Sequence, residues 1–266
     1  MTTDVENFPG FPDAVLGPEL MEKLRRQAEK FGPDILYDDA AKVDFHKRPF
    51  EVTVGNTTHQ GKTVIIATGA SAKWLSIPSE KKFLGRGVSS CATCDGYFFK
   101  GKEVVVVGGG DTAMEEATFL ANIVQRVTVV HRRNKLRASQ ILQDRALKNP
   151  RISFVWDSVV EEITGTDKVT GVRIRNRKTG EATILKTDGV FVAIGYEPNT
   201  AILKGQVELD EKGYVVTKDE TRTGVAGVFA AGDVRDHKYR QAVTAAADGC
   251  KAAMDADRFL SEHYSE

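Results

Sequence analysis

Residues 102–107, Lys-Glu-Val-Val-Val-Val, end in Gly108-Gly109-Gly110 and continue as Asp111-Thr112-Ala113. An almost unbroken apolar run of that kind reads as a strand buried on both faces, the mark of a parallel sheet. A helical stretch follows to about Asn122, and a further strand covers residues 127–130. Strand, glycine turn, helix, strand is a βαβ crossover. It confines the chain to an α/β class, in which a parallel sheet is covered by helices.

The glycine turn has the form Gly108-x-Gly110-x-x-Ala113. The first glycine permits the tight turn, the second lets the backbone approach a pyrophosphate, and the small third residue lets helix and strand pack closely. The helix N-terminus, at Asp111 and Thr112, then offers unpaired N–H groups to phosphate. The motif alone is weak; with both strands and the helix in place it predicts a dinucleotide site. The end of the second strand selects the nucleotide. A site for NAD usually has a carboxylate there for the ribose 2′-hydroxyl. This chain has His131-Arg132-Arg133, with Arg137 four residues on. Guanidinium groups meet a phosphate with paired hydrogen bonds, so a 2′-phosphate, and hence NADPH, is the expected ligand. A solvated basic turn would explain the arginines alone, but not directly behind a complete βαβ unit.

The periodicity predicts a helix from about Leu20 to Phe31, closed by Gly32-Pro33, and then short strands at residues 34–37, 41–45, 50–54 and 62–67. Further on come a helix near residues 139–148, a strand at 152–155 and an antiparallel region over about 159–185. Strands at 189–194 and 227–231 precede an Ala-rich helix from Gln241 to about His263. An apolar strand ending in Ala-x-Gly recurs at 67–69, 193–195 and 230–232. We therefore expect two Rossmann-like nucleotide-binding domains of three-layer ββα type. Residues 73–197 form one, inserted in a second built from residues 1–72 and 198–266.

Cys91-Ala92-Thr93-Cys94-Asp95-Gly96 is a C-x-x-C just before the βαβ unit. Two cysteines so spaced can close a small disulfide ring and can lower one thiol's pKa. Half a zinc site is the alternative, but tetrahedral zinc needs another Cys/His pair, and Cys250 stands alone; no metal is expected. Cys250 reads as a small buried residue on the Ala-rich helix. Asp95 can shuttle a proton to a sulfur, or simply cap the turn before Gly96; spacing does not separate the two. Lys plus Arg is 37 and Asp plus Glu is 37. That balance gives no general pull toward nucleic acid or an anionic membrane. There is no apolar run of membrane-spanning length and no basic or apolar leader in the first seven residues. Three cysteines are too few and too odd for a secreted framework, so a reducing cytoplasm is the default.

Cys-Ala-Thr-Cys-Asp-Gly, Gly-Gly-Gly-Asp-Thr-Ala, His-Arg-Arg with a following Arg, and Gly-Val-Phe-Ala-Ala-Gly-Asp, in this order, resemble the low-molecular-weight thioredoxin reductases, as does Val5-Glu6-Asn7-Phe8-Pro9-Gly10. The resemblance covers essentially the whole chain. It implies a homodimer carrying FAD, with electrons passing from NADPH through the flavin to Cys91–Cys94 and on to thioredoxin, and an NADPH domain that rotates between two positions. By resemblance Cys94 lies against the flavin, Cys91 attacks thioredoxin's disulfide and Asp95 is the acid/base. Arg132, Arg133 and Arg137 hold the 2′-phosphate, and Gly108, Gly110, Asp111, Thr112, Ala113, His131, Ile194 and Gly195 complete the nucleotide site. Asn7, Asp233, Arg240, Gln241 and Ala242 belong to the flavin site; taken alone, Asp233 reads as a turn residue and Arg240 as a solvated charge.

Family members open with a further strand–Gly-x-Gly-x-x-Gly–helix unit for the FAD pyrophosphate, and no such motif precedes Asn7. A βαβ unit of roughly 30 residues is expected to be missing. That leaves an alternative from another class, a non-catalytic NADP-binding fragment. A peroxidase-linked reductase would carry an extra N-terminal dithiol domain, which this sequence does not show.

Overall fold

The computed structural model describes residues 4–264. Its contacts divide it into two units: the stretch up to Ala28 together with Ala72–Gly195, and Glu29–Ser71 together with the chain from Tyr196 onward.

The first unit is built on five parallel strands in the order Ile152–Val155, Arg126–Val130, Glu103–Gly108, Gly189–Ala193, Val88–Ser89. The valine run explains the layers. Side chains alternate across a strand, so Val104 and Val106 join Val127 and Val129 against Ala113, Met114, Ala117 and Leu120 of helix Asp111–Leu120 and Ala146 of helix Gln140–Lys148. Val105 and Val107 point the other way, onto Val160, Ile163, Val172 and Ile174 of a three-stranded antiparallel sheet, Ser158–Gly165, Val169–Asn176 and Ala182–Lys186. Helices, parallel sheet and antiparallel sheet make the three layers expected from the sequence. Val106 is fully buried, so a charge there would be stranded far from water.

The second unit has a short parallel pair, Val64–Ile66 with Val228–Ala230. Beside it lies the antiparallel meander Ala40–Asp44, Phe50–Val54, Thr57–Gly61. Phe45, Phe50, Ile66, Leu203, Val228 and Ala230 form its core, and Ala252 and Ala256 of helix Ala242–Tyr264 pack on Phe229.

Several expectations are corrected. Residues 34–37 form no strand; Leu36 and Tyr37 are exposed, and an apolar run with no neighbour to bond makes no ladder. Thr57–Gly61 is a strand although its side chains alternate nothing, because the hairpin with Phe50–Val54 supplies its hydrogen bonds. The strand expected over 62–67 contracts to Val64–Ile66. Cys250 is exposed, not buried. No helix of the described residues is long and apolar enough to cross a membrane.

Candidate active site

Ligand sites in open α/β sheets form at the carboxyl ends of the strands, and the functional residues of the first unit gather there. Strand Glu103–Gly108 ends in the glycine loop. Gly108 must be glycine: a Cβ would lie 2.3 Å from the Ala193 carbonyl oxygen and 2.7 Å from the Ala113 Cβ. Helix Asp111–Leu120 starts immediately after, with Gly110 at its cap. Ala193 pairs with Gly108, so Ile194, partly exposed, and Gly195 emerge beside the loop from the neighbouring strand.

Strand Arg126–Val130 ends in the arginine loop. Its main chain is held on both sides: the His131 N–H donates to Val155, Ser158 N–H to His131, and Asp157 N–H to Arg133. The Arg177 guanidinium donates to the Arg132 carbonyl at 3.3 Å. Arg132, Arg133 and Arg137 are exposed, and none forms an ion pair among the described residues, whereas the adjacent Asp157 is engaged by Lys178 at 2.8 Å. Three guanidinium groups free of carboxylates suit a multiply charged anion. His131 differs. It is buried, its Nε2 meets the Lys135 carbonyl at 3.1 Å, and burial, above all, pulls its imidazole below the usual range.

On the next parallel position, strand Val88–Ser89 pairs with Val190 and Phe191 and delivers Cys91 to the same sheet edge. The Cys91 N–H donates to Ser89 Oγ at 3.0 Å. Cys91 and Cys94 are disulfide-bonded across the short helix Ala92–Asp95, their Cα atoms 5.3 Å apart. Both sulfurs are therefore committed to each other and not to a metal. Thr93 Oγ1 stands 3.4 Å from Cys91 Sγ. Asp95 closes the helix, its N–H bonded to the Cys91 carbonyl at 3.1 Å. Ala92 sits in the same core as Ala113 and Ala117, so the short cysteine helix and the helix after the glycine loop share one packing surface.

The second unit holds its own cluster. Asp233 lies in the turn Gly232–Val234, directly after strand Val228–Ala230. Burial, then Asp236, pushes its carboxyl above the usual range, against the pull of Arg240. The turn is fixed from beneath: buried Asp248 accepts from the Gly232 N–H at 3.2 Å and from Arg235 at 2.7 Å. The Arg240 guanidinium lies 4.1 Å over the Tyr196 ring, Gln241 bonds back to the Tyr239 and Arg240 carbonyls, and Ala242 opens the long helix. A half-buried carboxyl whose proton is held more tightly than usual, beside a helix start, is a polar set that fits a polyol and a polar heterocycle. Asn7 stands apart from this cluster, in the turn of residues 6–12 of the first unit.

The sequence did not disclose Ser89, Arg177 or Asp248. Each acts through a hydrogen bond to a residue distant in the chain or to a backbone group, and leaves no local pattern.

A dinucleotide-type glycine loop and a bonded cysteine pair on one parallel-sheet edge define a nucleotide-linked disulfide oxidoreductase. The chain belongs to the pyridine nucleotide-disulphide oxidoreductase family, whose pattern matches residues 2–249. It is 54% identical over 267 residues to the thioredoxin reductase of Rickettsia prowazekii (strain Madrid E), covering 98% of this chain and 86% of that one. It is 53% identical over 262 residues to the thioredoxin reductase of Streptomyces coelicolor, covering 98% and 81%. Its structure matches that of thioredoxin reductase from Giardia duodenalis with a TM-score of 0.94 at 48% identity, covering 98% of this chain and 86% of that one.

Proposed function

We propose that the chain is a thioredoxin-disulfide reductase that draws electrons from NADPH by way of FAD. The observation that carries this reading is the Cys91–Cys94 disulfide at the carboxyl edge of the sheet that bears the glycine loop. The thioredoxin reductases that match nearly its whole length support it.

In this reading Gly108, Gly110, Asp111, Thr112 and Ala113 form the pyrophosphate cradle, with Ile194 and Gly195 beside it. Arg132, Arg133 and Arg137 take the 2′-phosphate, in keeping with their exposure and lack of carboxylate partners. Asn7, Asp233, Arg240, Gln241 and Ala242 would hold the FAD. A bound flavin supplies the electron relay between nicotinamide and dithiol. Residues 73–197 serve as the NADPH domain, and residues 1–72 and 198–266 as the flavin domain.

Once Cys91 and Cys94 are both thiols, thiolate exchange completes the turnover. Asp95 takes the proton of the Cys91 thiol, the Cys91 thiolate attacks one sulfur of thioredoxin's disulfide, and the other sulfur leaves as a thiolate that takes that proton back from Asp95. Cys94, its proton passed to Asp95, then attacks Cys91 Sγ; the second thioredoxin sulfur leaves, takes that proton, and the Cys91–Cys94 disulfide is restored. The enzyme works as a homodimer in the cytoplasm, where the reducing milieu suits a redox-active pair. The test is NADPH consumption by the purified chain with oxidised thioredoxin, run alongside its visible spectrum. A flavin band and thioredoxin-dependent consumption are expected; NADPH binding with neither would leave a nucleotide-binding protein without catalysis.

A further inference from the structure

The two sulfurs of the cysteine pair have different neighbours. Thr93 Oγ1 stands 3.4 Å from Cys91 Sγ, whereas among the described residues no donor is bonded to Cys94 Sγ. In the disulfide neither sulfur carries a proton, so the hydrogen between oxygen and sulfur belongs to the hydroxyl, and Thr93 is the donor. The main chain offers Cys91 Sγ no substitute. Cys91 occupies the cap of helix Ala92–Asp95, yet its side chain makes no capping bond. The contact has supports besides the disulfide. The Cys91 N–H donates to Ser89 Oγ at 3.0 Å, its carbonyl accepts from the Asp95 N–H at 3.1 Å, and Ser89 is itself buried. Both polar groups of the Cys91 main chain are therefore held, and Thr93 lies inside the turn that they close.

We propose that Thr93 is a further catalytic residue: its hydroxyl, 3.4 Å from Cys91 Sγ, donates to the Cys91 thiolate once the pair is reduced and so makes Cys91 the attacking sulfur. This rests on the disulfide-exchange reading above and deepens it, by supplying a reason in this chain for the choice between two thiols. A disulfide sulfur is a weak acceptor and a thiolate a strong one, so the bond tightens on reduction. A hydrogen bond to the charged form lowers the pKa of the thiol, and the thiolate is the nucleophile. Thr93 neither takes nor gives up a proton. The Cys91 proton goes to Asp95 in that reading, and the hydroxyl holds the charge left on sulfur. Thr93 is exposed, and competition from water keeps the effect modest.

The experiment is alkylation of the full chain, reduced with a phosphine, by iodoacetamide over about pH 5 to 10, with fragment masses assigning the label to Cys91, Cys94 or Cys250. Thr93→Val keeps the shape of the side chain and removes the hydroxyl. The pH midpoint of Cys91 labelling should rise by about one pH unit. Its alkaline plateau should rise about threefold, because a less stabilised thiolate is the stronger nucleophile. The Cys94 midpoint should not rise with it, and Thr93→Ser, which restores the hydroxyl, should bring Cys91 back near wild type. An unchanged Cys91 midpoint, a matching rise at Cys94, or a shift that Thr93→Ser leaves in place overturns the proposal. If Thr93→Val fails to fold by circular dichroism, Thr93→Ala repeats the test with the same outcomes. A reduced wild-type chain that leaves thioredoxin's disulfide intact would instead defeat the reading of function; the labelling midpoints need neither thioredoxin nor flavin and decide the role of Thr93 alone.

Discussion

The two units solve the same problem, holding polar chemistry at the end of parallel strands, by different means. In the first, five strands are buried on both faces, and glycine loop, arginine loop and cysteine pair emerge from neighbouring strand ends. Backbone pairing alone sets their order along the edge. In the second, the parallel pair has three residues a side, and the Asp233 turn is fixed by a buried side chain, Asp248, reaching from a helix to Gly232 and Arg235. Strand pairing places one site and a charge pair places the other. The first should tolerate loss of a single side chain without losing shape; the second should not.

Four substitutions or titrations sharpen that contrast. The largest effect is expected of Cys91→Ser, which removes the sulfur we propose as the attacking one: thioredoxin reduction should fall by at least about a thousandfold, with NADPH affinity and thermal midpoint near wild type. A large loss of stability instead would mean that the first unit leans on its disulfide. Next, Asp248→Ala leaves the Arg235 guanidinium and the Gly232 N–H without their buried acceptor. Stability of the second unit should drop by about 3 kcal/mol, read in denaturant titrations, and a drop below about 1 kcal/mol would erase the contrast drawn here. Third, Arg132→Ala with Arg133→Ala should raise KM for NADPH about thirtyfold and leave KM for NADH nearly unchanged. Comparable rises for both would show that the arginines shape the loop and do not read the phosphate.

The smallest effect is a pH dependence. Burial holds the His131 imidazole below its reference value of 6.5. Over the window between the folded value and 6.5 the unfolded chain binds the proton and the folded chain does not, so stability falls as pH falls. His131 makes no such contribution above that window. Denaturant midpoints should therefore decline on acidification below pH 6.5, and His131→Phe should flatten that part of the curve. An unchanged slope in the variant would assign the decline to other groups.

What the sequence disclosed follows the same division. The valine run, the glycine turn and the arginine cluster are contiguous, so the first unit's central crossover and its three layers could be read directly. Strand Val88–Ser89 could not, because two residues carry no period, yet this strand brings Cys91 to the sheet edge. In the second unit the apolar stretch at residues 34–37 suggested a strand and forms none, while polar Thr57–Gly61 forms one through its hairpin partner. Hydrophobic pattern reports burial, and these segments are decided by hydrogen-bond partners instead. The buried state of His131 and the role of Asp248 were equally silent, since each depends on groups far along the chain.

One strand, Gly189–Ala193, lies between the strand that carries the glycine loop and the strand that leads to Cys91. Two ladder steps thus separate the strand axes, about 10 Å at the usual inter-strand spacing. This is a built-in gauge. Because amide bonds and not side chains set its length, residues at its two ends can be exchanged, and the gap between glycine loop and cysteine pair stays as the backbone made it.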